Sequence, residues 1–233
     1  ALAYPLFVLG FIIVIIAVMM TLIIPRFSMM FEELGDKLPA FTRIFMGVYS
    51  TLMHNLPIIL VVITAVVIGL IAYSKTATGH KNLCRIILKI PMFGKIILMA
   101  FVATFCKTLG TLIGSGVSVI DAFAILAGMT NNDVLTQGVM DTRDRLMKGI
   151  SISQSMETAG FFPGVAVKMV RIGEESGSLS SVLEKTSEYY ARKVELLISS
   201  LLGLLEPILI VTVGAIVLIV LLAMYLPIFS MSA

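Results

Sequence analysis

Residues 161–179 read FFPGVAVKMVRIGEESGSL, a polar and sharply punctuated stretch in a chain that is otherwise mostly apolar. Pro163 suits the first turn of a helix, where a missing amide hydrogen costs nothing, and Gly173 and Gly177 suit the turns that end one. Ser178 offers a hydroxyl to cap the next helix. The stretch reads as helix, tight acidic turn, helix, and the rest of the chain reads as the frame that holds it out of a membrane.

Working outward, composition sets that frame. The 233 residues are 58% hydrophobic and only 13% charged, against roughly 25% charged in an ordinary soluble domain. A single soluble core cannot hide that much apolar surface. Residues 6–24, 58–73 and 208–226 contain no charge at all. At ~1.5 Å per residue, runs of about 16 to 19 residues measure ~24–28 Å, near the ~30 Å of a hydrocarbon core. We expect an all-α membrane protein with three transmembrane helices and one cytoplasmic six-helix bundle domain. The expected boundaries are 1–25, 57–73 and 206–228 for the spans, 26–56 for periplasmic amphipathic helices, 74–205 for the bundle and 229–233 for a periplasmic tail. The first span lacks the basic leader, short apolar run and small-residue cleavage pattern of a signal peptide, so it is expected to stay. Because the sequence starts at Ala1 rather than Met, a segment upstream is expected as well.

Charge placement orients the spans. The formal net charge of +3 is too small to suggest a nucleic-acid partner. Between the first two spans Arg26, Lys37 and Arg43 balance Glu32, Glu33 and Asp36, whereas Lys75, Lys81, Arg85, Lys89, Lys95 and Lys107 all precede the next acid, Asp121. Lysine and arginine beside a span favour the cytoplasmic side. The first span then runs outward, the second inward and the third outward, with a periplasmic C-terminus. Outside, Phe27, Met30, Phe31 and Leu34 fall at helical spacing before Gly35, and Pro39 can open a second amphipathic helix carrying Phe41, Phe45, Tyr49 and Leu52. The basic run from Lys75 to Lys95 reads as a topogenic and lipid-headgroup anchor.

Inside, the punctuation is helical. Helices are expected over 95–113, 119–130 and 133–148, a short one after Ser151 that ends before Gly160, one over 163–172, and one from 179 toward 205. Ser118 with Asp121 and Ser151 with Gln154 form capping boxes. The last helix has a charged face, Glu184, Lys185, Glu188, Arg192, Lys193 and Glu195, opposite Leu183, Tyr190, Val194 and Leu197. It leads across Glu206-Pro207 into the third span, where Pro207 should kink or offset the path.

No catalytic constellation emerges. Gly94-Lys95 lacks the upstream glycine and the following Ser or Thr of a phosphate loop. His54 and His80 fall on opposite sides of the expected membrane, so they cannot share a zinc ion, and Cys84 and Cys106 read as packing residues. Glu174 and Glu175 are adjacent, which rarely lets two carboxylates converge on one atom, and their place before a new helix suits its positive end. A transporter should carry ionisable groups within its spans; only Glu206, at the inner edge of the third, approaches this, and both a structural and a partner-binding role fit it.

Taken in order, Tyr4-Pro5, Pro25 with Phe27, Leu38-Pro39 with Thr42, Pro91 with Phe93-Gly94-Lys95, Thr108-Leu109 and Ser115-Gly116-Val117 form a pattern. It continues through Gly149 with Ser151, Phe162-Pro163, Gly173-Glu174-Glu175-Ser176-Gly177 with Leu179, Glu206-Pro207 and Pro227. This set resembles the family of type II secretion F-proteins and type IV pilus platform proteins, over almost the whole chain. Ser118 departs from the proline usual there, although serine can cap the helix that proline would start. The length departs too: the family commonly carries two related six-helix cytoplasmic domains, and only the second is represented.

The resemblance implies a bacterial inner-membrane scaffold without catalytic activity or cofactor. It implies as partners a cytoplasmic hexameric motor ATPase, pilin or pseudopilin subunits, other inner-membrane assembly proteins and lipid, with a homo-oligomer, a dimer favoured. On that basis Arg143, Arg145, Lys148, Lys168, Arg171, Glu174 and Glu175 are candidate motor contacts, and the same charges suit an ordinary solvated surface. Pro163, Gly173, Ser176 and Gly177 form the structural motif, and Glu206 and Pro207 mark the membrane edge. The competing readings are a subunit of a multi-chain transporter or channel and a membrane signalling protein.

Overall fold

The computed structural model describes residues 3–32 and 39–232. The expectations placed on Glu33, Leu34, Gly35, Asp36, Lys37 and Leu38 lie outside them. Among the described residues the regular structure is helical throughout: α1 (Ala3–Val18), a π-helical turn (Met19–Ile23), α2 (Ile24–Glu32), α3 (Ala40–Ser74), α4 (Ala77–Lys89) and α5 (Pro91–Gly114). Then follow α6 (Val119–Ala127), α7 (Asp133–Met147), α8 (Ile152–Ala159), α9 (Gly164–Glu175) and α10 (Leu179–Ser232). The chain divides into two compact units, one formed by Ala1–Ile68 with Ser199–Ala233 and the other by Gly69–Ile198.

The first unit exposes apolar side chains along most of its length, including Phe7, Val61 and Val211. Among its described residues burial is confined to a few positions such as Ile24, Thr42, Val220 and Ala223. Its π-helical turn has a local cause and a tertiary remedy. The Ile24 amide reaches back five residues to the Met19 carbonyl, and residue 25 is proline, with no N–H to offer. The Met20 carbonyl is thereby left without a helical donor, and the Tyr49 hydroxyl donates to it at 2.9 Å. The expected boundary between residues 26–56 and 57–73 falls inside α3, which runs unbroken through Pro57, as α10 runs through Pro207 and Pro227.

Among the described residues four helices are long and apolar enough to cross a membrane: Leu6–Phe27, Ala40–Ser74, Pro91–Gly114 and Leu179–Pro227. The sequence points to three. The extra one, α5, differs in where its apolar residues go: 39% of its most apolar window is buried inside the protein, against 6%, 0% and 11% for the others.

In the second unit α5 is the central rod. Val102, Phe105, Cys106 and Leu109, spaced for one helical face, are fully or almost fully buried against Phe123 of α6, Val139 of α7, Met156 of α8, Val170 of α9 and Leu183 and Tyr190 of α10. The Phe105 ring meets Phe123 edge-on at 5.4 Å and Phe162 at 5.1 Å. Burial holds the Cys106 thiol up at about 12, so it packs as a neutral group. The Ser180 hydroxyl of α10 donates to the Gly110 carbonyl of α5 at 2.8 Å. Helix starts follow the expected chemistry: the Ser118 and Ser151 hydroxyls accept from the amides of Asp121 and Gln154. The arrangement differs from a full capping box, because the Asp121 carboxylate accepts a hydrogen bond from the Ser118 hydroxyl at 2.6 Å rather than from the Ser118 amide. The segment expected only as a basic anchor folds into α4, capped by Thr76, whose hydroxyl accepts from Gly79 N.

Candidate functional site

The acidic turn is built from the end of α9. Gly177 adopts φ +66°, the left-handed conformation that glycine takes without a Cβ penalty. The Gly177 amide donates to the Glu174 carbonyl at 3.4 Å and the Ser178 amide to the Gly173 carbonyl at 3.1 Å, which is a Schellman closure. Ser176 and Ser178 hydroxyls meet at 2.6 Å across it. Gly173 gives the turn only its carbonyl and keeps a helical backbone. It lies inside α9, buried, where a Cβ would stand 3.0 Å from the Leu179 Cα, so its role is to let α9 and α10 touch. Pro163 is the residue just before α9, with helix beginning at Gly164.

Glu174 points to a helix start, though not that of α10. Its two carboxylate oxygens accept from the Ile152 amide at 2.5 Å and the Ser153 amide at 2.9 Å, the first two residues of α8. With Ser151 taking Gln154 N, three of the four amides that any helix leaves unpaired at its start are satisfied, and a negative charge sits at the positive end. One turn back on α9, Arg171 pairs with Glu157 near the other end of α8 at 2.8 Å. Together these side chains fasten α9 along α8.

A shallow polar cleft of about 460 Å³ lies over this fastening, lined by Ser151, Ser153, Gln154, Glu157, Arg171, Glu174 and Glu175. The structure thus brings together three of the seven candidate contact residues, Arg171, Glu174 and Glu175. Lys168 is exposed on α9, Lys148 is exposed at the C-terminal end of α7 and Arg145 is half-buried in its last turn, none of them lining the cleft. Arg143 is half-buried in mid-α7, with its Nε enclosed and without a hydrogen-bond partner. Glu157, Ser151 and Ser153 belong to the site without having been singled out for it; the Ser151 and Gln154 capping box was their only local signal.

In the other unit, Glu206 opens on an apolar groove of about 400 Å³ whose walls include Phe11, Ile12, Ile15, Leu209, Ile210 and Val213. Among the described residues no cluster of histidine, cysteine and carboxylate side chains could hold a metal ion.

Comparison with known proteins places this architecture. The family signature of type II secretion system protein F matches residues 105–227. The chain belongs to that family. The F-protein relatives include the type IV pilus assembly protein PilC of Pseudomonas aeruginosa, 32% identical over 99% of this chain and 62% of its own length. The PilC of Thermus thermophilus is 32% identical over 99% of this chain and 57% of its own length, and the type II secretion system protein F of Pseudomonas aeruginosa is 28% identical over 100% and 57%. The chain therefore spans somewhat more than half the length of these F-protein relatives. The long apolar helices among the described residues fit the membrane setting of such assembly systems.

Proposed function

We propose that this F-protein is an inner-membrane platform of a type IV pilus or type II secretion machine, coupling a cytoplasmic motor ATPase to the insertion of pilin or pseudopilin subunits at the filament base. The observation that carries this is similarity running along the whole chain to pilus assembly and secretion proteins. The fold supports a mechanical role over a chemical one: one face of α5 is buried against the helices around it, and Glu174 and Arg171 fasten α9 to the two ends of α8.

In this reading α1, α3 and the distal part of α10 cross the bilayer, the unit around α5 is cytoplasmic, and the C-terminus is periplasmic. The six positively charged residues from Lys75 to Lys107, with no acid among them, support that orientation. The platform acts as a homo-oligomer, dimer favoured. The groove beside Glu206 supports a seat for apolar side chains from the helix of a filament subunit, since its walls are aliphatic and aromatic. Crosslinkers placed singly at Ile210 and Val213, and then around the rest of 208–226, test it in assembling cells. Filament-subunit adducts are expected from the groove face, and their absence from every face would sink the proposal.

A further inference from the structure

We infer that the outward face of α4 is an anionic-lipid-binding surface, lying along the headgroups of the bilayer that the preceding helix crosses. The inference rests on the reading that residues 58–73 span a membrane, and it adds to that reading a second, lateral attachment.

The geometry begins at the corner between α3 and α4. Only Lys75 and Thr76 separate the two helices, and the last turn of the apolar run, from Gly69, belongs to the same compact unit as α4. The corner is tight: a Cβ on Gly79 would collide with the Tyr73 carbonyl, so only glycine fits there. It is also fixed in rotation, because the Asn82 side-chain amide donates to the Tyr73 hydroxyl at 3.1 Å. The face of α4 that bears Asn82 therefore looks back toward the end of the apolar run, where the bilayer edge lies.

That face has the composition of an interfacial helix. Ile86, Lys89 and Ile90 follow Asn82 by four, seven and eight residues, one side of a helix, with Lys81 and Arg85 beside them. Ile86 is 56% exposed, Ile90 42% and Phe93, just beyond, 59%. The opposite side of α4 is committed elsewhere: Cys84 is buried, and His80 pairs with Asp133 of α7 at 3.2 Å. No acidic residue lies between Ser74 and Asp121. Exposed isoleucine and phenylalanine interleaved with lysine and arginine suit insertion at the headgroup and acyl boundary of an anionic leaflet. An acidic protein would satisfy the bases but leave the large apolar side chains in water, so we commit to lipid.

The test uses the full chain in nanodiscs of phosphatidylcholine, with or without phosphatidylglycerol, and a photoreactive residue at one position at a time. Ile63, in the middle of the apolar run, reports the span; Ile86 and Phe93 report α4; Met147, exposed on α7, reports background. Lipid adducts are expected at Ile63, Ile86 and Phe93 and not at Met147. The Ile86 yield should rise with phosphatidylglycerol, by up to about fivefold per base engaged, and the rise should vanish in the combined variant Lys81→Glu, Arg85→Glu, Lys89→Glu. Lipid adducts at Ile63 but not at Ile86 or Phe93 would overturn the inference and leave the span intact. Absence at Ile63 as well would remove the span and the inference with it. Protein adducts at Ile86 in place of lipid would also overturn it.

Discussion

The Thr42 hydroxyl donates to the Ala223 carbonyl at 2.9 Å across 181 residues of sequence, and both residues are fully buried. Ala223 stands four residues before Pro227, whose ring nitrogen has no hydrogen to return to that carbonyl. A related logic governs Tyr49 and Met20: the Ile24 amide turns to Met19, and Pro25, five residues after Met20, has no N–H to take its place. Two prolines, one in α2 and one in α10, thus leave two acceptors, and two polar residues of α3, spaced seven apart, supply the donors.

Thr42→Val keeps the shape and removes the donor, and is expected to cost about 1 kcal/mol, within the range for hydrogen bonds between membrane helices. The cost should shrink in a Pro227→Ala background, where the restored N–H can serve Ala223. Unfolding in detergent of the two single variants and the double variant measures the coupling; equal effects of Thr42→Val in both backgrounds would refute it.

Glu174→Gln keeps the side-chain shape but removes the charge at the start of α8. The expected loss is about 1–2 kcal/mol, from weakened charge-assisted bonds and the helix-end interaction. Glu175→Gln, at an exposed neighbour, should stay within about 0.5 kcal/mol. Thermal melts of the two variants separate a fastening role from a general need for acid in the turn.

The two glycines of the motif should fail differently. Gly177→Ala forces a methyl group into the left-handed conformation, at about 1 kcal/mol. Gly173→Ala pushes that methyl against the backbone of Leu179 and is expected to cost more, about 1–3 kcal/mol, because main chain yields less readily than a side chain. Reversal of that order in melting experiments would mean that α9 and α10 do not meet at Gly173.

Cys106 is expected to resist maleimide at pH 8 in the folded protein and to react once unfolded, since burial denies both access and the thiolate form. The folded thiol titrates at about 12, above its ordinary value of 9.0. Its contribution is complete below about pH 9 and is lost as pH rises toward about 12. Cys106→Ala should therefore flatten the alkaline fall in stability above pH 9.

What the sequence disclosed was mainly local. The Ser118 and Ser151 caps could be read because donor and acceptor are three residues apart. Glu174 was recognisable as a helix-end carboxylate, but the helix it serves begins 22 residues upstream, beyond any local pattern. Gly173 looked like a turn residue because close helix packing and a turn both ask for glycine. The boundary expected between residues 56 and 57 falls inside α3, because the sequence changes from amphipathic to wholly apolar there while the helix itself continues. The α4 helix went unread as a helix because its charges suggested an anchor first, although Thr76 and Gly79 carry the cap.

The central claim, that the α5-centred unit receives the motor, is tested most directly by photocrosslinking in cells containing the cognate ATPase. Arg145, Lys168 and Glu175 are the positions of choice, since Arg171 and Glu174 are engaged in holding α8 to α9. The account predicts motor adducts from at least one of the three in variants that still assemble filaments or secrete. Active variants with no motor adduct at any of the three would contradict it.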